Sequence, residues 1–217
     1  ALDSHASTAE LTAVLLDAEG SHFSFGASVD EHMPDQCADM LASLHALIKQ
    51  MLDFPVPILV AIQGQCLGGG LEVVCGGDLL FAAPDAKLGQ PEIKLGVFAP
   101  AASCLLPERI GSGHAADLLW SGRSIDGNEA YRIGLVNELS EDPSGAAEAW
   151  FAKHLLGSSA SSLRFARRAA RSDVVERIKA KLDQVETLYL QELMATHDAV
   201  EGLQAVVEKR TVNWEHR

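Results

Sequence analysis

Basic residues are scarce in this chain. Its 217 residues carry 17 Lys and Arg against 30 Asp and Glu, a formal net charge of −13. Phosphate backbones are held by basic patches, so no nucleic-acid partner is expected. Any phosphate-bearing ligand must be met by backbone N–H groups or by a few local cations. Cysteine is sparse too. Cys37, Cys66, Cys75 and Cys104 are widely spaced, with no CxxC pair and no Cys/His cluster at zinc spacing, so no metal site is expected. Four such thiols do not make a disulfide scaffold, and they fit a reducing, cytoplasmic setting. Long apolar runs are missing: Pro, Gly or a charge interrupts each before it reaches membrane-spanning length, so no membrane partner is expected. The start shows no basic segment leading into an apolar one, as a signal peptide would.

What is present is an ordinary globular composition, 47% hydrophobic and 22% charged, with enough chain for one sizeable core. The run from Leu11 to Asp17 reads as a buried strand ending at the turn Glu19-Gly20-Ser21. Met40, Leu41, Leu44, Leu47, Ile48, Met51 and Leu52 recur at helical intervals, and Pro55 and Pro57 stop that helix. Ile58–Ile62 is continuous and rich in β-branched residues, which predicts a fully buried strand. It leads through Gly64 to Gly68-Gly69-Gly70 and a helical stretch to about Cys75. Another strand, Leu79–Ala83, ends at Pro84-Asp85; a loop carrying Gly89-Gln90-Pro91-Glu92 follows, then helical segments around Leu105 and Ala115–Trp120. Beyond Pro143 helical periodicity dominates, notably Val174, Val175, Ile178, Leu182, Val185, Leu188 and Tyr189. Strands alternating with helices predict an α/β fold, with a core over residues 1–143 and a helical extension over 144–217.

Three segments carry the chemistry: Phe23-Ser-Phe-Gly-Ala-Ser-Val29, Gln65-Cys-Leu-Gly-Gly-Gly-Leu-Glu72 and Lys87-Leu-Gly-Gln-Pro-Glu-Ile-Lys-Leu-Gly96. The glycine triplet lies where a buried strand turns into a helix, so unpaired N–H groups and a positive dipole end can face an oxyanion. Glycines at such a junction also serve as plain turn chemistry. Glu72 and Glu92 are two carboxylates in partly apolar surroundings, able to divide acid and base work if their pKa values are pushed apart. Taken singly, each reads equally well as a dipole partner or a solvated loop residue. No nucleophilic triad is visible.

In this order, Phe-Ser-Phe-Gly-Ala, Gly-Gly-Gly-Leu-Glu and Gly-Gln-Pro-Glu resemble the enoyl-CoA hydratase/isomerase (crotonase) superfamily. The segment Asp198–Arg210 is similar to that family's final helix, so the resemblance spans essentially the whole chain. It implies a spiral of β-β-α turns, with C-terminal helices that build homo-trimers or hexamers. It implies an oxyanion hole from the backbone N–H groups of Ala27 and Gly69. Having both glutamates, Glu72 and Glu92, points to a hydratase: one activates water and the other handles the proton added at the α-carbon. The substrate is an acyl-CoA thioester, so coenzyme A arrives as part of the substrate and no separate cofactor is expected. The resemblance places CoA and the acyl group along Phe25, Gly26, Ser28, Val29, Leu67, Gly68, Pro91 and Val97. Relatives often carry a basic residue where this chain reads Asp30-Glu31-His32.

After Gly96 the chain departs from the usual glycine-rich wording, reading Val97-Phe-Ala-Pro-Ala-Ala-Ser103. That wording is similar to family members that hydrate a cyclic dienoyl-CoA, with Phe98 and Trp120 as expected walls of a ring-shaped pocket. An isomerase, a straight-chain enoyl-CoA hydratase and a non-catalytic CoA-binding scaffold are the alternatives. Family members also carry a segment ahead of the strand at Leu11, including a first strand pair, and that part is expected to be missing here.

Overall fold

A computed structural model describes residues 2–217. A short helix α1 (Leu2–His5) precedes strand β1 (Val14–Leu16), and helix α2 spans Cys37–Asp53. Two successive β-β-α units follow. The first is β2 (Ile58–Ile62), β3 (Gln65–Leu67) and α3 (Gly69–Gly76). The second is β4 (Leu79–Ala82), β5 (Lys87–Gly89) and, after a 3-10 turn Pro91–Leu95, α4 (Pro100–Ser121). Each unit lays its first strand in one parallel sheet, ordered β1-β2-β4-β7, and its second strand in a smaller sheet, β3-β5-β6. The repeated step makes the chain a spiral, as the resemblance implies. The register is Leu59 opposite Leu79 in the first sheet and Cys66 opposite Leu88 in the second.

The sequence explains why these elements form. All five residues of β2 are buried, so the strand is apolar throughout. Helix α2 buries Leu41, His45, Ile48, Met51 and Leu52, a single stripe at three- and four-residue spacing. The remaining strands, β3, β5, β6 (Ser124–Asp126) and β7 (Glu138–Leu139), have two or three residues each, too short to carry a period. Helix α5 (Gly127–Arg132) joins β6 to β7, with Asp126 capping its first turn through Glu129 N at 2.8 Å.

The helices beyond Pro143 pack on the core that precedes them. Helix α6 (Pro143–His154) lies on the large sheet, where Ala147 joins Leu59 and Phe81 in one buried cluster. Helix α7 (Ala160–Thr187) sends Ile178 and Leu182 into the main core. The apolar faces of these helices meet the sheet and α4, so the helical extension is part of the core. α7 continues as a π-helical turn, Leu188–Glu192, then a 3-10 turn, Leu193–Ala195, and α8 (His197–Val207) closes the fold.

Asp78 ties the tail to the sheet. Its carboxylate accepts from Ile58 N at 2.8 Å and pairs with Arg167 at 3.0 Å and with Arg171. Arg167 also donates to the carbonyls of Met51, Leu52 and Phe54, the end of α2. Arg167 and Asp78 are both largely buried, so removing Arg167 leaves the Asp78 charge to Arg171 alone and takes the donor from three carbonyls at the end of α2. Arg167→Ala is expected to lower stability by about 3 kcal/mol, read as a smaller denaturant midpoint at unchanged slope. A loss under about 0.5 kcal/mol, the range of ordinary surface substitutions, would show that the pair is not a structural tie.

Candidate active site

Glu72 and Glu92 converge. They share one small, tightly closed cavity with Ala27, Gly69 and Phe98, walled by Met40, Leu41 and Leu44 of α2, Ala99, Pro100, His32 and Tyr189. Glu72 is 3% exposed and Glu92 7%. Glu72 sits in the first turn of α3, and Glu92 in the 3-10 turn after β5, so parallel pairing of β3 with β5 sets their approach.

The two backbone N–H groups expected to face an oxyanion lie beside this cavity. A methyl group placed on Gly69 would lie 3.6 Å from Ala27 N and 4.0 Å from a Glu72 carboxylate oxygen. The glycines around them are required by geometry. Gly26 has φ +90°, and a Cβ there would come within 3.0 Å of Leu67 O and 3.2 Å of Gly69 N. Gly68 has φ +53°, and a Cβ there would meet Glu92 Oε1 at 2.7 Å. Both positions combine left-handed backbone with close approach, which only glycine tolerates. Gly26→Ala is expected to lower turnover by roughly 10²-fold by crowding the Gly69 N–H, measured as kcat on an enoyl-CoA. Full activity would mean that this N–H is not used.

The two carboxyls have different surroundings. Glu72 accepts from Ala102 N at 2.8 Å, the third residue of α4, so a helix N-terminus favours its charged form. Burial still pushes its pKa upward, against the lowering by the Ala102 and Ala101 N–H groups. Glu92 is raised by burial first and then by the charge of Glu72. The Gln90 side chain, with its NH2 turned to Glu92, lies 3.1 Å from both carboxyl oxygens. The pair therefore holds one proton readily near neutral pH, with Glu92 the better owner.

The other expected residues divide. Leu67 adjoins Gly26 and Gly68 adjoins Glu92, outside the cavity lining, with Gly68 N donating to Gly89 O at 3.0 Å. Pro91 opens the turn that carries Glu92. Val97 is buried behind the cavity with Leu41 and Tyr189. Ser28 and Glu31 cap the 3-10 turn Asp30–His32 reciprocally, with Ser28 N donating to Glu31 at 2.9 Å, and Val29 packs below it. Phe25 is 64% exposed and edge-on to His22. Trp120 is a correction: it is 78% exposed, on the second of the two helical segments of α4, beyond the break at Gly111 (φ +74°, ψ 161°). That expectation rested on the resemblance of residues 97–103, which carry no information on the chain beyond the break at Gly111. Glu92, one of whose sequence readings was a solvated loop residue, is buried.

Sequence reasoning missed Gln90, Ala102 and Tyr189. Gln90 was legible, since it stands inside the same Gly-Gln-Pro-Glu segment. Tyr189 was read only as one step of a helical period.

A larger cleft, about 810 Å³, lies between the end of α2 and α7, lined by Arg164, Arg168 and Phe165. It contains none of the site residues. No group of metal-ligating side chains is found among the described residues, and no helix among them is long and apolar enough to cross a membrane.

A spiral of β-β-α turns with two buried carboxyls facing paired backbone N–H groups defines a site for enolate chemistry on a carbonyl compound. All of residues 1–217 match the enoyl-CoA hydratase/isomerase family. The chain is 71% identical over 217 residues to the cyclohexa-1,5-dienecarbonyl-CoA hydratase of Thauera aromatica, covering 100% of this chain and 84% of that protein. A solved enoyl-CoA hydratase/isomerase from Pseudoalteromonas atlantica superposes with a TM-score of 0.82 at 27% identity, covering 98% of this chain and 85% of that one. A solved enoyl-CoA hydratase from Mycobacterium avium gives 0.86 at 24% identity, covering 98% and 83%. The chain belongs to the enoyl-CoA hydratase/isomerase family.

Proposed function

We propose that the protein is a hydro-lyase that adds water to cyclohexa-1,5-diene-1-carbonyl-CoA, giving 6-hydroxycyclohex-1-ene-1-carbonyl-CoA. The observation that carries this reading is the meeting of Glu72 and Glu92 with Ala27 and Gly69 in one apolar cavity. The identity to the Thauera protein supports the choice of ring substrate, as does Phe98 in the cavity wall.

The chemistry follows from the surroundings. The thioester oxygen accepts from Ala27 N–H and Gly69 N–H. Glu72, favoured as carboxylate by the α4 N-terminus, takes a proton from water. The water oxygen bonds to the ring carbon β to the thioester, and the electron pair of that double bond moves into the thioester oxygen. Glu92, held protonated by burial and by Glu72, returns a proton to carbon. In a straight-chain enoyl thioester the α-carbon takes it. In the cyclic diene the far end of the dienolate takes it, so the product keeps a double bond conjugated with the carbonyl. Water addition is redox-neutral, so acid, base and oxyanion donors suffice, and coenzyme A enters only as part of the substrate.

CoA is placed along Phe25, Gly26, Ser28 and Val29, through backbone contacts that suit an acidic chain. The reading includes a cytoplasmic setting and a homo-trimer, or a hexamer of two trimers. Exposed Phe165, Leu188, Val206 and Val207 on the C-terminal helices supply apolar surface for assembly. Light scattering at the monomer mass would reject that assembly.

The deciding experiment is turnover of cyclohexa-1,5-diene-1-carbonyl-CoA beside crotonyl-CoA, following product mass. Gain of one water by the cyclic diene is the expected result. Hydration of crotonyl-CoA alone would keep the hydratase and discard the ring; a shifted double bond without added water would make the protein an isomerase.

A further inference from the structure

The π-helical turn Leu188–Glu192 interrupts the end of α7 at the residue that lines the cavity, Tyr189. Such turns are rare and concentrate at functional sites. Tyr189 is 1% exposed, its ring is edge-on to Phe98 at 5.4 Å, and its hydroxyl has no hydrogen-bond partner among the described residues. A buried phenol normally finds a partner, so an unpartnered one beside a reacting pair calls for a reason.

Its placement is not loose. Three residues earlier, Glu186 pairs at 2.5 Å with the buried His45 of α2, and Asp183 pairs with Lys49 at 2.6 Å. These two ties fix α7 against α2 just before the π turn, and α2 supplies Leu41 and Leu44 to the same cavity. The hydroxyl shares the cavity with Glu72 and Glu92 and senses the charge of both. Its ionisation is disfavoured first by burial, then by Cys37, Glu92 and Glu72 in turn. It therefore stays a neutral O–H, able to donate and to accept.

We propose that Tyr189 is a substrate-contacting residue whose hydroxyl hydrogen-bonds the oxygen that is added, the water in hydration and the ring hydroxyl in the reverse direction. This rests on the reading of the cavity as a hydratase site. The attacking oxygen needs to be held in line with the β-carbon while Glu72 takes one of its protons. A neutral O–H on the cavity wall can hold it without competing for that proton. The aromatic ring of Tyr189, paired with Phe98, meanwhile presents an apolar edge to a six-membered acyl ring. The contact carries no proton to carbon and leaves the acid–base roles with the two glutamates.

The test is Tyr189→Phe, which removes one oxygen and keeps the ring against Phe98. Since the hydroxyl makes no bond among the described residues, the thermal midpoint is expected to stay the same or rise. Wild-type hydration is measured first; if the wild type adds water to neither cyclohexa-1,5-diene-1-carbonyl-CoA nor crotonyl-CoA, the hydratase reading itself fails. With the wild type active, the variant is expected to lose about 10- to 100-fold in kcat on the same thioester. KM should move by less than about threefold, because the CoA contacts lie elsewhere. Unchanged kcat overturns the proposal. So does a raised KM at constant kcat, which would make Tyr189 a wall only. A midpoint lowered by several degrees together with lost activity also overturns it, by showing a structural role.

Discussion

Glu92→Gln is expected to lower hydration by about 10³-fold while making the protein more stable in alkaline solution. Both effects have one cause. Glu92 is buried against the charge of Glu72, so its folded pKa lies above its unfolded one. Between those two values the native state binds more protons than the unfolded state, and stability falls as pH rises. That stability is fully present below the unfolded value, near pH 4.5, and is lost as pH climbs through the folded value, about 8. A glutamine never ionises and escapes the loss. At pH 5 the variant and the wild type should melt nearly alike; at pH 9 the variant should be more stable by up to about 5 kcal/mol, from the 1.36 kcal/mol carried by each pKa unit. Gln90 sits 3.1 Å from the carboxyl and can turn its amide to meet the new side chain, so the substitution adds no stranded polar group. Denaturant titrations at the two pH values, with kcat measured alongside, check both limbs. Equal stability at pH 9 would mean that Glu92 ionises freely in the fold and cannot serve as the proton donor.

How far the site was legible depended on where each signal lay in the chain. The paired carboxyls and the glycine frame stand within short segments whose order is itself informative, and the fold brings them together. β2 was legible because burial on both faces makes it apolar at every position. β3, β5, β6 and β7 were not, since a strand of two or three residues has no period to read and is held by its neighbours' backbones. Trp120 and Tyr189 failed in opposite directions. Helical periodicity tells which face is inward but not where an axis leads or where a helix breaks. α4 starts at the cavity, breaks at Gly111, and leaves Trp120 in solvent on its second segment. α7 and its π turn come back from the far side and bring Tyr189 in. The capping of α4 by Glu72 was equally hidden, because the donor Ala102 has no side chain that signals it and lies thirty residues downstream in another element.

That capping contact makes Glu72→Gln a different experiment from Glu92→Gln. A glutamine oxygen can still accept from Ala102 N–H, so the start of α4 should keep its geometry. The charge, however, disappears. Two consequences are expected. Hydration should fall by about 10³-fold, because an amide cannot take a proton from water. The titration of Glu92 should move to lower pH, because one of the two causes that raise it, the Glu72 carboxylate, is gone and burial alone remains. With its folded pKa nearer the unfolded one, Glu92 should cost less stability at alkaline pH, and the fall in stability between pH 5 and pH 9 should flatten relative to the wild type. Denaturant midpoints across that range read the flattening, and carbon-detected NMR of the Glu92 carboxyl reads the titration directly. A Glu92 titration that stays where it is in the wild type would show that the two carboxyls do not sense each other. The division of labour between a Glu72 base and a Glu92 acid would then lose its electrostatic basis, since it is the charge on Glu72 that helps keep the proton on Glu92.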